Sequence, residues 1–248
     1  MIVIGIVGPP AGGKSTVARQ LVEMGAVWLD ADRLAHQVLN QESVIEALVG
    51  YFGLEVLEEG KINRKWLATQ VFGDDLESRQ RLQWLEAVVH PPTRLLLQQK
   101  LIEATKNGVP AAVLDVPLLF ESNWDVYCDQ IWCLVTPLQK RQSWLHERGW
   151  TVEELKKREA RQLPISEKKR LSTHILQNNG SSEELRSQVA KLAAKIGLPV
   201  PNSKKPNFSS ESSFDAYSPI DRSPVTPTDR NEHCWGKRVV PPGSHPVE

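Results

Sequence analysis

Cysteine is scarce: Cys128, Cys133 and Cys234 are the only three. Their number is odd and their spacing matches no metal site, which excludes a disulfide framework and predicts reduced thiols in a cytosolic protein. Net charge is absent as well. Thirty basic and thirty acidic residues cancel, so no whole-surface field draws nucleic acid or an anionic membrane, and an anionic ligand must be met by local clusters of base. The chain also lacks an apolar run of membrane-spanning length. Its first apolar stretch is short, without a basic segment before it or a cleavage pattern after it, which predicts a protein neither secreted nor embedded. What remains is 248 residues, 40% apolar, enough for one large α/β domain or two smaller ones.

Against that background one stretch stands out. Gly8-Pro9-Pro10-Ala11-Gly12-Gly13-Lys14-Ser15-Thr16 fits the phosphate-loop template G-x-x-x-x-G-K-[ST]. It follows Met1–Val7, which reads as a buried strand, and precedes residues 16–24, which have helical spacing. Strand, glycine-rich loop and helix start together deliver backbone N–H groups to polyphosphate oxygens. The expected nucleotide-binding residues are Gly8, Ala11, Gly12, Gly13, Lys14, Ser15 and Thr16. Lys14 is expected at the β- and γ-phosphates and the Ser15 hydroxyl on the Mg²⁺ that accompanies ATP. An ordinary strand-to-helix turn, the alternative, has no need of Lys-Ser at its helix start.

Along the chain, Ala26–Leu29 reads as a second strand ending in Asp30-Ala31-Asp32. Ligands of open α/β sheets bind beyond the carboxyl ends of strands, so both acids are expected near the phosphates. Asp32 suits the orientation and deprotonation of an acceptor hydroxyl, or else the capping of the helix that follows. From Ser43 to Arg94 the pattern is helical, and His90-Pro91-Pro92 predicts a helix boundary. Trp66 and Trp84 read as core, while Arg64 and His90 serve equally as ligand contacts or as solvated groups. Residues 111–121 contain a third strand, with Asp115 expected at its carboxyl end as a Mg²⁺-organising acid. Asp129–Thr136 and His174–Asn178 read as a fourth and a fifth strand. Strands alternating with helices predict a parallel sheet. Residues 138–170 are rich in base, read either as a solvated helix face or as a mobile lid that brings arginines onto the phosphates.

Together these residues resemble the dephospho-CoA kinase family. The resemblance spans residues 1–198 and rests on the phosphate loop, Asp30-Ala31-Asp32, Gly60-Lys61-Ile62-Asn63-Arg64, His90-Pro91, Asp115-Val116-Pro117-Leu118-Leu119-Phe120-Glu121, Arg148, Arg158 with Gln162, and Asn179-Gly180-Ser181. It implies a parallel-sheet P-loop kinase core resembling adenylate kinase, with a helical CoA-binding insertion over about 33–92 and a helical lid over about 138–170. It further implies ATP and dephospho-CoA as substrates, Mg²⁺ as cofactor, a cytoplasmic setting, and phosphorylation of the ribose 3′-hydroxyl as the last step of coenzyme A synthesis. Asp32 is then the base, Lys14 and Arg148 act on the phosphates, Ser15 and Asp115 hold metal, and Asp30, Arg64 and His90 contact substrate. The chain departs from the family at three places. The usual Gly-Gly-Ile-Gly-Ser-Gly-Lys-Ser contains Pro9, Pro10, Ala11 and Gly12 here; an arginine of the lid motif Gln-x-x-Arg-Leu is Trp144; and the usual Ala-Asp before the last strand is Ser172-Thr173. Competing readings are a kinase of the same fold acting on a nucleoside or nucleoside monophosphate, and a phosphate-loop switch. The switch lacks its base-reading Asn-Lys-x-Asp, and Asp32 would be superfluous in it.

Residues 199–248 hold nine of the prolines among Ser and Asn without apolar periodicity, and read as a disordered tail. Removing them is expected to leave melting temperature and turnover unchanged, since a segment that buries no apolar surface adds little to the folded state. A large drop in the melting temperature of the truncated protein would refute that composition argument.

Overall fold

The structure is a computed structural model; it describes residues 1–73 and 75–199, and of Arg148 the backbone only. The tail expected at 199–248 thus lies, beyond its first residue, outside the described residues.

The chain opens with β1 (Ile2–Val7), α1 (Lys14–Glu23), β2 (Val27–Asp30) and α2 (Ala31–Val38). After α3 (Glu42–Phe52), a two-residue antiparallel hairpin, β3 (Leu57–Glu58) and β4 (Lys61–Ile62), leads to α4 (Arg64–Val71) and the 31-residue α5 (Leu76–Lys106). Next come β5 (Ala111–Asp115), β6 (Gln130–Val135), α6 (Leu138–Gln142), a 3₁₀ turn at His146–Arg148, α7 (Val152–Ala160), α8 (Ile165–Leu171), β7 (His174–Gln177) and α9 (Ser182–Lys195).

Five strands form one parallel sheet in the order β2-β5-β1-β6-β7. Both of its faces are covered, which is why β1 and β5 are apolar runs rather than alternating ones. On one face Ile4, Ile6, Val113, Trp132 and Leu134 pack against Val17 and Leu21 of α1 and Leu185 and Val189 of α9. On the other, Val3, Val7, Ala112, Leu114 and Cys133 meet Leu34 of α2 and Leu97 and Leu101 of α5. A separate cluster joins Val38, Leu48, Val56, Ile62, Leu67, Val71 and Val89, and both Trp66 and Trp84 pack against it. Among the described residues no helix is long and apolar enough to cross a membrane.

Two expectations fail here. Pro91 and Pro92 do not bound a helix; α5 runs through both. Each lacks an N–H and forgoes an i−4 hydrogen bond, but the halves of α5 are held by different packing. Leu82, Leu85 and Val89 belong to the separate cluster and Leu97 and Leu101 to the sheet. The buried Thr93 hydroxyl also donates to the Val89 carbonyl at 2.7 Å. Packing at both ends overrides the local preference. The third strand stops at Asp115, with Pro117 in the turn that follows, and the stretch expected to be wholly helical carries the small β3–β4 hairpin.

Candidate active site

The phosphate loop leaves β1 at the centre of the sheet and enters α1. Gly13 sits at the helix start with φ 93°, a left-handed conformation that favours glycine. A Cβ on Gly8 would stand 2.7 Å from the Leu134 carbonyl oxygen, so the loop lies directly on β6. Ala11 is also left-handed, φ 55°, at a cost of about 1–2 kcal/mol for an L-residue. Its buried methyl packs with Leu145, Leu155 and Trp150 from the basic segment, which offsets the strain.

The loop's carbonyls are occupied by side chains from distant positions. Gly12 O accepts from Thr136 Oγ1 at 2.7 Å and from Asn178 Nδ2 at 3.1 Å. Gly8 O accepts from Lys168 Nζ at 3.5 Å and Pro10 O from the Arg141 guanidinium at 3.4 Å. Lys14 Nζ lies over its own loop, 3.4 Å from Gly8 O and 3.3 Å from Pro9 O. No side-chain hydrogen bond caps α1, and a helix N-terminus at the end of such a loop suits an anion.

Three acids gather beside this loop. Asp30 and Asp115 are register partners at the carboxyl ends of the neighbouring strands β2 and β5, and Asp32 lies in the first turn of α2. The cap of α2 is Asp30, whose Oδ1 accepts the Arg33 N–H at 3.1 Å. Asp32 therefore does not hold the helix start. Asp32 is exposed by surface area, with other groups crowded around its carboxylate. Desolvation there raises its pKa first and Asp30 second, while His36, Lys14 and Arg158 pull it down. Asp115 is raised to about 6, chiefly by burial; Lys14 opposes the rise, and Asp30 and Asp32 add to it.

The basic segment closes the other side. Arg141 is buried in an ion pair with Glu159. Arg158 pairs with Glu154 at 2.8 Å and stacks over Trp150, 4.1 Å from the ring centroid. Lys168, 3% exposed, bonds Gln162 as well as Gly8 O, and burial draws its pKa down to about 8. Glu121 accepts the Leu163 N–H. A cleft of about 430 Å³ lies among His36, Leu39, Lys61, Ile62 and Arg64, with Arg64 Nη1 3.1 Å from His36 Nδ1. His90 stands exposed on α5, outside that lining. The 3₁₀ turn holds the backbone of Arg148, whose side chain lies outside the described residues.

A family model described as Dephospho-CoA kinase matches residues 2–184 of the chain. The chain belongs to the dephospho-CoA kinase family. Its members transfer phosphate in the final step of coenzyme A biosynthesis, and the family uses a nucleotide substrate. Among its relatives, a dephospho-CoA kinase of Rhodopirellula baltica is 43% identical over 195 residues, covering 78% of this chain and 90% of that protein. One of Symbiobacterium thermophilum is 38% identical, covering 76% and 79%. A crystal structure from Thermus thermophilus superposes with TM-score 0.64 at 38% identity, covering 78% of this chain and 97% of its own. The dephospho-CoA kinase from Campylobacter jejuni, at 24% identity, TM-score 0.56 and coverage of 78% and 96%, shares the fold.

Within this kinase-family site the structure brings together Lys14, Ser15, Asp30, Asp32 and Asp115, all singled out in the sequence. It adds Thr136, Arg141, Lys168 and Asn178, which were not. A basic run reads as a solvated face because its pattern does not say which cations turn inward. Thr136 and Asn178 lie at strand ends without any motif of their own.

The state of Asp115 can be read in stability. A carboxyl whose folded pKa exceeds its unfolded value, here about 6 against 3.8, binds its proton more tightly in the folded protein. Stability then falls as pH rises from about 4 to about 6 and stays lower above that. The cost is at most about 3 kcal/mol. Asp115→Asn, without nucleotide or metal, is expected to melt roughly 3–10 °C above the parent at pH 7.5, with the gain vanishing near pH 4. Calorimetry across that range checks it, and a variant that melts lower at pH 7.5 would mean that the ionised carboxylate stabilises the fold.

Proposed function

We propose that this chain transfers the γ-phosphoryl group of ATP, as its Mg²⁺ complex, to the 3′-hydroxyl of the ribose of dephospho-CoA. The observation that carries the reading is the convergence of Asp30, Asp32 and Asp115 at the ends of β2 and β5 beside the lysine of the phosphate loop. Asp32 takes the proton of the 3′-hydroxyl. Its raised pKa makes it a better proton acceptor than an ordinary aspartate, and its freedom from capping leaves both oxygens for the acceptor. Lys14 and Arg158, whose charges reach Asp32, offset the negative charge that gathers in the transition state. Arg148 is assigned to the phosphates on the resemblance alone.

The donor set suits Mg²⁺. A hydroxyl from Ser15 and a carboxylate from Asp115 are hard oxygen ligands, and a cation would offset both the burial that chiefly raises Asp115 and the smaller repulsion from Asp30 and Asp32. Among the described residues no three His, Cys, Asp or Glu side chains form a cage for a metal, as suits an ion that is held largely by phosphates and water. When bound, the ion supplies charge neutralisation on the β- and γ-phosphates. Lys61 and Arg64 on their cleft, with Asp30 and His90, are the proposed contacts of dephospho-CoA, the two bases facing its phosphates. Reduced thiols and ATP as co-substrate suit the cytoplasm.

ATP consumption measured with dephospho-CoA, AMP, adenosine or no acceptor separates this activity from a nucleoside-type kinase and from a switch. Rapid turnover is expected with dephospho-CoA alone. Asp32→Asn is expected to lower that turnover roughly a hundredfold to ten-thousandfold, with ATP affinity held within a few-fold. Melting temperature should barely change, because the cap of α2 belongs to Asp30. A near-normal rate in the Asn variant would move the base role to another acid.

A further inference from the structure

Two ammonium groups meet at one carbonyl where the phosphate loop begins. Lys14 Nζ lies 3.4 Å from Gly8 O and Lys168 Nζ 3.5 Å from the same atom, so the two charges stand within about 7 Å of each other. Only Lys14 belongs to the loop. Lys168 comes from α8, 160 residues along the chain from Gly8, and is 3% exposed.

A lysine is almost never buried this far without an ion pair. Among the described residues Lys168 has none within salt-bridge distance, and its ammonium donates to two neutral acceptors, Gly8 O and Gln162 Oε1. Charged and titratable groups face it from four elements. Burial draws its pKa down to about 8 against the pull of Glu121 from the turn after β5; Lys14 of α1 adds to the fall, while Cys133 of β6 and Glu159 of α7 oppose it.

To reach the β- and γ-phosphates, Lys14 must leave Gly8 O. Gly8 is buried against β6, and a buried carbonyl stripped of its donor is costly. With Lys168 in place that carbonyl keeps a donor when Lys14 departs, and repulsion between the two ammoniums favours the departure.

We propose that Lys168 is a positioning residue of the phosphate loop: it holds the Gly8 carbonyl, so that Lys14 is released from the loop to the phosphates of the nucleotide. The inference rests on the phosphoryl-donor reading above. A polyphosphate brings negative charge near both lysines, so its binding favours protonated Lys168 and draws in a proton around pH 8.

The test uses the full chain with Lys168→Gln, which removes the charge, and Lys168→Arg, which keeps it at every working pH. Calorimetry with Mg²⁺ at pH 7.5 measures binding of ATP and of inorganic tripolyphosphate. Lys168→Gln is expected to weaken both roughly 5- to 100-fold and to raise KM for ATP in step, with KM for dephospho-CoA within about twofold of the parent. Titrating ATP at pH 8 in two buffers of different ionisation heat counts protons. The parent is expected to take up as much as about half a proton, and both variants to lack that uptake. A Gln variant that binds tripolyphosphate like the parent overturns the proposal, and so does one that binds weakly yet takes up protons as the parent does, because the side chain would then only fill space. Should Lys168→Gln not fold, Lys168→Arg decides: it must bind ATP within about threefold of the parent and without the proton uptake, and either failure overturns the proposal. A parent that binds neither ATP nor tripolyphosphate would instead overturn the phosphoryl-donor reading, and this one with it.

Discussion

A loop that binds phosphate must turn its amides toward the ligand while its own carbonyls find partners elsewhere, since an unpartnered buried carbonyl costs about 1–3 kcal/mol. In this chain that accounting ties the molecule together. Thr136 at the end of β6 and Asn178 at the end of β7 both serve Gly12 O, Lys168 of α8 serves Gly8 O, and Arg141 of α6 serves Pro10 O. Each comes from a different element more than a hundred residues away. The parallel sheet brings them within reach by placing β6 and β7 beside β1. The same arrangement explains the unusual loop sequence, because the strain at Ala11 is offset by apolar contact with the basic segment.

Charge around the loop is arranged in opposing halves. Acids collect on the β2–β5 flank, where desolvation first and neighbouring carboxylates second raise the pKa values of Asp32 and Asp115. Bases collect on the segment from Lys140 to Lys168, three of them fixed by partners: Arg141 by Glu159, Arg158 by Glu154 and Trp150, Lys168 by Gln162. The net charge of zero is the sum of two local fields, which is why whole-chain charge carries no information about the ligand.

The phosphate loop, the strands and the acids at their ends were legible from residue types and spacing. Those features are local: Lys14 and Ser15 adjoin the glycines that shape their backbone, and Asp30 and Asp115 end apolar runs that make sense only as buried strands. Pro91 and Pro92 misled for the same reason. Their local meaning is a boundary, yet the two ends of α5 are held in separate clusters that no window of sequence displays. Whether Asp32 caps the helix or serves chemistry was likewise open until the structure gave the cap of α2 to Asp30.

By itself, then, the sequence determined the fold class, the phosphate loop and the acids set against it, because short-range stereochemistry and binary patterning govern those features. Only the tertiary structure decided which cations of the basic segment turn inward, which carbonyls they serve, and that Lys140 meets Asn178 and Gly180 beside the loop. Such contacts join residues far apart in the chain, and their energies depend on burial and distance, quantities that exist only once the sheet has assembled.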